Sequence, residues 1–570
     1  MRPLQKKWEI RTANLEKVRD LVAAMGIPAP LAQVLIIRGF NTAEDAAQFL
    51  RPRLAELDDP FLLPDMERAV QRIWRAIDAQ ECITVFGDYD VDGVTAAALM
   101  IRVLRTLGAR VEGFVPDRLE EGYGLSLDAV ERCLAGRETQ LLVTVDCGTN
   151  SVESVAYAQA RNVDVVVTDH HEPEELTADA YALINPKLGT SGGPLAGVGV
   201  AFKLAHALVL SGSERPEMDH ARSVLRSVLD LVALGTVADI VPLVGENRTF
   251  VRCGLVQMES TEWVGMKALK EVAGLKGELN TGHLGFQLGP RINASGRIGE
   301  PEQAVRLLTT DDLAEARAIA KLLDRDNQER RAIERKMADE AFEEIDRWFN
   351  PEENYGLVVA REGWHPGVVG IVASRVARHY NRPAVIVSID PDGSARGSCR
   401  SIEAFDLLEG LQACSEHLSQ FGGHRMAAGL EIASDALDAF KAAFNTVARQ
   451  ALEPLDLSPV LSVDAVLEVE DLDWDFWKKL KQLRPFGQNN PEPVWAMLNV
   501  QVAGAPQVIG KKHLKFAVGD GQSTFNAIAF DYPLEVLPAG KIDIAFVLEE
   551  NQWYGRSDLQ LQVKDIRPAQ

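Results

Sequence analysis

The chain has 570 residues, enough for three or four domains that each bury a core. Its apolar content of 46% and charged content of 25% are ordinary for a globular protein. A net charge of −23 excludes a protein that coats nucleic acid through bulk positive charge, though not a narrow basic channel on an acidic body. No run of about 18 apolar residues occurs, and Asp239 interrupts the nearest one, Leu231–Val244, so no membrane span is expected. The stretch Met1–Ile10 lacks the apolar segment of a signal peptide. Cys82, Cys133, Cys147, Cys253, Cys399 and Cys414 form no C-x-x-C pair, which predicts reduced core thiols in a cytoplasmic protein.

Residues 1–64 read as an N-terminal extension. From 65 to 300 the chain begins with the βαβ rhythm of a parallel sheet with helices on both faces. Strands are predicted at Ile83–Phe86, Val111–Val115, Leu141–Val145 and Val163–Val167, with an apolar helix over Thr95–Leu107. Residues 195–300 are helical and loop-rich. Over 301–350 no Gly occurs, and Asp311–Asp346 is dense in Ala, Glu, Arg and Leu, as a long connector helix should be. Its Lys321, Arg325, Arg330, Arg331, Arg335 and Lys336 alternate with acids and read as a solvated face.

A second α/β lobe is expected over 351–453. Its strands are Tyr355–Ala360, Ala384–Ser388 and Ser394–Cys399; its helices are Val369–Tyr380 and Ser434–Arg449, with Ser434 as N-cap. Residues 454–570 change to short strands broken by Gly, Asn and Pro, namely Val460–Val463, Leu498–Val502, Leu514–Val518, Phe525–Phe530 and Ile542–Leu548. That spacing suggests a small OB-like barrel. Trp474 and Trp477 lie three residues apart, as on one helix face, so they read as core rather than as a base-stacking platform.

In parallel sheets ligands bind beyond the carboxyl ends of the strands. Asp88, Asp90 and Asp92 follow one predicted strand, Asp146 follows a second, and Asp169, His170 and His171 follow a third. Hard oxygen ligands mixed with imidazole suit Mn²⁺ or Mg²⁺, and a carboxylate-rich cluster can hold two ions for phosphoester cleavage. The run Asp88-Tyr-Asp-Val-Asp-Gly93 imitates a calcium loop, but Leu99 stands where an EF-hand needs Glu. Asp146 alone reads as a helix cap and Asp239 alone as a turn residue; their weight comes from the combination. Gly- and Arg-bearing motifs recur later, carrying Arg118, Arg291, Asn293, Arg297, Arg396, Arg400, His424 and Arg425. Glycine exposes backbone N–H groups and Arg forks match phosphate oxygens, although an ordinary turn with a surface Arg stays open for each.

The ordered motifs Gly87-Asp-Tyr-Asp-Val-Asp-Gly93, Val145-Asp-Cys-Gly148, Asp169-His-His171, Gly235-Thr-Val-Ala-Asp239 and Gly422-Gly-His-Arg-Met-Ala-Ala-Gly429 resemble the DHH phosphoesterases. Gly289-Pro-Arg-Ile-Asn-Ala-Ser-Gly-Arg297, the connector and the barrel narrow the resemblance to their single-strand-specific exonuclease branch. The fold implied is α/β: two α/β lobes, the DHH and DHH-associated domains, joined by a long helix, with a C-terminal OB-like barrel. The activity implied is 5′-to-3′ hydrolysis of single-stranded DNA to mononucleotides, in recombination and mismatch repair.

The resemblance also implies roles for particular residues. Asp90 and Asp146 hold one ion. Asp92, Asp146, His170 and Asp239 hold the other, His171 contacts the scissile phosphate, and Asp88 ligates or supports the first site. Arg118, Ser398 and Arg400 become candidates for a 5′-phosphate pocket. Arg291, Asn293, Arg297, Arg396, His424 and Arg425 become candidates for the DNA path. Expected partners are a single-strand-binding protein and a repair helicase, around a monomer. A phosphodiesterase acting on cyclic dinucleotides or short oligonucleotides is the alternative within the family.

Overall fold

A computed structural model describes residues 6–116, 124–510, 513–533, 537–553 and 556–569. The N-terminal strand β1 (Lys7–Ile10) is followed by a parallel sheet of β2 (Cys82–Gly87), β3 (Arg110–Phe114), β4 (Leu141–Val145), β5 (Asp164–Thr168) and β6 (Ala182–Ile184). Its order is β3-β2-β4-β5-β6 with every pairing parallel. Alternate residues of these strands enter different cores, as the two-residue period of a strand requires. Ile83, Val85, Val143 and Val166 join the larger cluster, whereas Phe86, Leu142, Val165 and Val167 join a smaller one. The helix Val91–Thr106 is buried almost throughout, because it lies between the sheet and the helices Gly197–Ser211, Leu229–Ala238 and Pro301–Thr309.

The helix Leu313–Asp346 has 34 residues, or about 50 Å at 1.5 Å per residue. Ile319, Ala320 and Leu323 near its start pack into the first lobe, and Met337, Ala341 and Ile345 near its end pack into the second. Most of its basic residues are solvated as expected. Arg330 departs from that expectation: it is buried and bonded to Asn327 and Glu334.

The second lobe is a sheet of order β10-β11-β9-β8-β7, with β7 Leu357–Glu362, β8 Ala384–Ile389, β9 Ser394–Arg400, β10 Gln420–Gly423 and β11 Ala427–Ala433. The helix Val369–Tyr380 falls where the sequence predicts it. The later helix spans Leu437–Leu452 rather than starting at Ser434. Ser434 opens a short turn of 3-10 helix instead, and no side chain caps the helix.

In the C-terminal region β12 (Val460–Val463) pairs in parallel with β1. β13 (Ala465–Val466) leads into a barrel of β14 (Trp495–Ile509), β15 (His513–Gly519), β16 (Thr524–Ala529), β17 (Lys541–Trp553) and β18 (Arg556–Pro568). The barrel closes because β14 pairs with both β15 and β17. The N-terminal helices Leu15–Met25, Ala29–Ile37 and Ala43–Leu50 share one apolar cluster with the barrel, so the two ends of the chain pack together. Phe476 and Trp477 are buried in that cluster, whereas Trp474 is exposed, against the expectation that both tryptophans belong to the core. Among the described residues all six cysteines are free and no single helix is long and apolar enough to cross a membrane.

Candidate metal centre

Three neighbouring strands and one helix end deliver the acidic groups. After β2 the chain turns at Asp88 into the helix Val91–Thr106, whose N-cap is Asp90. The Asp90 Oδ1 accepts the N–H groups of Asp92 (2.8 Å) and Gly93 (3.1 Å), satisfying donors a helix leaves free. Asp92 in the first turn accepts Gly197 N–H at 2.6 Å and Val198 N–H at 2.9 Å, so one helix N-terminus holds a carboxylate carried by another. Asp146 follows β4 with φ of 64°, a left-handed conformation uncommon outside glycine. It is no helix cap: its Oδ1 accepts no hydrogen bond. Asp239 closes the helix Leu229–Ala238.

These groups converge. The His170 Nε2 lies 3.2 Å from Asp146 Oδ1, 3.7 Å from Asp239 Oδ2 and 4.0 Å from Asp92 Oδ2. Three overlapping sets each bring ligand atoms within 4.8 Å of one another: Asp88, Asp90 and Asp146; Asp92, His170 and Asp239; and Asp146, His170 and His171. Asp88 stands with Asp90 and Asp146, and Asp146 and His170 each belong to two of the three sets.

Burial pushes Asp88 up to about 8, helped by the charge of Asp90. Burial likewise pushes Asp92 up to about 7 with help from Asp239, and Asp239 up to about 7 with help from Asp90. Asp146 is raised well above the carboxylate range by burial and then by Asp92, Asp90 and Asp88. Burial lowers His170, favouring the neutral imidazole that ligates metals.

Asp169 plays a different part. Its Oδ1 accepts His170 N–H (2.7 Å) and His171 N–H (3.1 Å) and lies 2.7 Å from His171 Nδ1, while Oδ2 accepts Thr149 N–H (2.9 Å). Burial opposes the charge of His171, but Asp169 overrides it and raises the imidazole to about 9. In return His171 holds Asp169 well below the usual range despite its burial. Asp169 thus orients His171 through Nδ1.

Both oxygens of Asp88 and Oδ1 of Asp146 are buried without a hydrogen-bond partner. Orphaned carboxylate oxygens in a dry interior are costly unless a cation meets them. This donor set of carboxylates and one neutral imidazole fits hard divalent ions at two adjacent positions.

Sequence reasoning assigned no role to four residues here. A Cβ on Gly197 would lie 2.3 Å from Asp146 Oδ1, and one on Gly235 would lie 2.4 Å from Thr95 Oγ1 and 2.8 Å from Asp92 Oδ1. Both positions must stay bare for the carboxylates to fit. Buried Asn185 donates to Thr149 Oγ1 and to His171 O, each at 2.9 Å. Lys187 pairs with Glu172 at 2.8 Å and bears electrostatically on His170 and Asp239. Asn185-Pro-Lys187 follows β6, so the strand-end rule was a usable signal for these last two.

The remaining predicted contacts divide. Arg118 lies outside the described residues. Arg291 is committed to Asp324 (2.9 Å) and Gln287 O (2.6 Å). Asn293 accepts Val91 N–H at 3.1 Å, which braces the aspartate loop rather than leaving that oxygen for a strand. Arg297 reaches across the lobes to Gly367 O at 2.7 Å. Ser398 and Arg400 meet on β9, where Arg400 Nη1 donates to Ser398 Oγ at 3.0 Å, and both border Gly370 in the first turns of the helix Val369–Tyr380. Arg396 shares that strand face but pairs with Glu431 at 3.4 Å. His424 and Arg425 occupy the exposed turn between β10 and β11. His424 and His170 both bear electrostatically on Glu172, so the turn between β10 and β11 lies near the loop that follows His171.

Family models match three stretches: the DHH family N-terminal domain over residues 82–236, the DHHA1 domain over 354–450 and the RecJ OB domain over 463–565. The single-stranded-DNA-specific exonuclease RecJ of Bacillus subtilis strain 168 is 38% identical across 98% of this chain and 70% of that protein. Its counterpart from Escherichia coli is 33% identical across 99% of this chain and 100% of that protein. The crystal structure of RecJ in complex with Mn²⁺ from Thermus thermophilus superposes with a TM-score of 0.84 at 30% identity, covering 99% of this chain and 80% of that one. The chain belongs to the RecJ family of single-stranded-DNA-specific exonucleases.

Proposed function

We propose that this protein hydrolyses single-stranded DNA from the 5′ end to mononucleotides, at a centre built for two Mn²⁺ or Mg²⁺ ions. The observation that carries the reading is the orphaned pair, Asp88 and Asp146, at the floor of a cluster completed by Asp90, Asp92, His170 and Asp239. Asp88, Asp90 and Asp146 would hold one ion; Asp92, Asp146, His170 and Asp239 would hold the other. Bound there, the ions would supply Lewis acidity and an acidified water.

The protein's own residues do the rest. The amides of Gly197 and Val198 keep Asp92 in place. Asp169 holds the His171 ring through Nδ1, which makes Nε2 the nitrogen to meet a phosphate oxygen. A cationic His171 suits a phosphodiester, which carries negative charge. Ser398 and Arg400 offer an O–H and a guanidinium for a terminal phosphate on the facing lobe. A terminal-phosphate site at a fixed separation from the cluster supports end-directed cleavage. The buried cluster floor supports a preference for a single flexible strand over a rigid duplex.

A cytoplasmic, monomeric repair enzyme meeting a single-strand-binding protein and a helicase completes the reading. Digestion of end-labelled single and double strands in Mn²⁺, Mg²⁺ or chelator tests it. Mononucleotides released from the 5′ end of single strands alone, and only with metal, are expected. Activity confined to dinucleotides would overturn it.

A further inference from the structure

A cleft of about 630 Å³ runs between the first lobe and the barrel, within the size range of ligand-binding clefts. Its lining includes Thr236, Val237 and Ala238 and then Ile240, the residues on either side of Asp239. Two anomalies coincide on its first-lobe side. Ile240 has φ of 60°, an outlier for a β-branched residue, and is 70% exposed. Phe286 is 85% exposed, although burial is the ordinary fate of a phenyl ring. Strain and exposed apolar area concentrate where something binds.

The geometry points to Ile240 and Phe286 as a stacking platform for an unpaired base of the strand whose scissile phosphate sits at the acidic cluster. This deepens the exonuclease reading and rests on it. The chemistry of the cleft favours bases over backbone. Beyond the two residues its lining includes Val241, Leu243, Leu279 and Phe486, and its carboxylates are Glu259, Glu278, Glu492 and Glu549. Carboxylates repel phosphates but accept hydrogen bonds from the amino groups of bases. Glu278 is also partly offset by Lys481 (2.8 Å) and Arg484 (3.8 Å). Stacking on an aromatic face tolerates any base, as a sequence-indifferent exonuclease needs, and a base inside a duplex does not offer its faces.

The walls are held at a fixed separation. Thr281 Oγ1 donates to Phe486 O (2.7 Å), and Leu243 N–H donates to Gln488 O (2.8 Å). The buried Arg248 guanidinium donates to Phe49 O (2.8 Å), Pro485 O (3.2 Å), Gln482 O (3.2 Å) and Arg484 O (2.9 Å). Platform and opposite wall therefore form one rigid cleft rather than a gap between loose parts.

The test uses the full-length enzyme with Mn²⁺ and single strands carrying one abasic position, moved stepwise from the cleaved end. Wild-type turnover of the intact strand is the control; its absence would refute the exonuclease reading, not this one. Phe286→Ala is expected to raise KM for long strands about ten-fold at near-constant kcat, with Phe286→Tyr restoring it. At one abasic position wild type should show the same KM rise, and Phe286→Ala should add nothing to it. Because the ring is exposed, its removal leaves the fold intact. An unchanged KM in Phe286→Ala would overturn the inference, as would losses from ring and base that add at every position; an unchanged KM would leave the cleft as a surface for a partner protein.

Discussion

Gly197 lies directly against Asp146: a methyl group on it would sit 2.3 Å from Oδ1 and 2.7 Å from Cβ of that aspartate. The same glycine donates its N–H to Asp92. One backbone position therefore sets two carboxylates.

Gly197→Ala should push Asp146 away from the shared position while leaving the sheet intact. Misplacement of a catalytic group by about 1 Å costs roughly 100-fold in rate. Steady-state cleavage of single strands, with circular dichroism as the folding control, checks this; wild-type rates would show that the site tolerates the displacement.

Metal-free protein should lose stability as pH rises. Asp88, Asp92 and Asp239 are pushed up to about 8, about 7 and about 7 in the folded state. Unfolded carboxylates titrate near 4. Between these values the folded state binds more protons than the unfolded one, so stability is present at low pH and falls through about pH 4 to about pH 8. Saturating Mn²⁺ should flatten that fall, because the ligands then stay ionised at no cost. Melting curves with Mn²⁺ and with chelator give the comparison.

Asp169→Asn should release His171. Its imidazole titrates at about 9 beside the carboxylate and should fall towards the ordinary value of about 6.5 in the variant. Imidazole NMR of the metal-free protein reads the shift. Cleavage should suffer more at about pH 8 than at about pH 6, since only at the higher pH would the ring lose its charge.

Arg248→Met should loosen the barrel. Phe49 O would lose its side-chain donor, while Gln482 O and Arg484 O would keep only the longer bonds from Arg252 and Pro485 O the one from Asn490, at a cost of about 1–3 kcal/mol. Urea denaturation measures the loss. Arg248→Lys should recover only part of it, because an ammonium cannot fork to four acceptors.

The convergence of Asp88–Asp92, Asp146 and His170 was legible because a parallel sheet puts its strand ends on one edge, and apolar β-branched runs mark those ends plainly in the sequence; Asp239, at a helix end, was legible only from its motif. Asp88 was harder. Its membership of the first ligand set depends on the turn after Gly87, which local sequence does not determine. Gly197, and the reason for the bare position at Gly235, were hidden for another reason: a close approach between residues some fifty to a hundred and forty positions apart leaves no periodic trace. The last barrel strand, β18, was overlooked although Leu559, Leu561 and Val563 alternate with Gln560, Gln562 and Lys564 as in a half-buried strand. Arg248 reads as an ordinary helical arginine until the folded chain brings Phe49 and Gln482–Pro485 around it.

The central claim is that Asp146 is shared between two ions. Calorimetric titration of Mn²⁺ into the metal-free protein, alongside cleavage of a single strand, tests it in wild type and in Asp146→Ala. Two ions per chain are expected in wild type. In the variant, binding at both positions should weaken together and cleavage should vanish, while DNA binding survives. An Asp146→Ala protein that keeps one tight ion, or that cleaves at the wild-type rate, would contradict the shared-ligand centre.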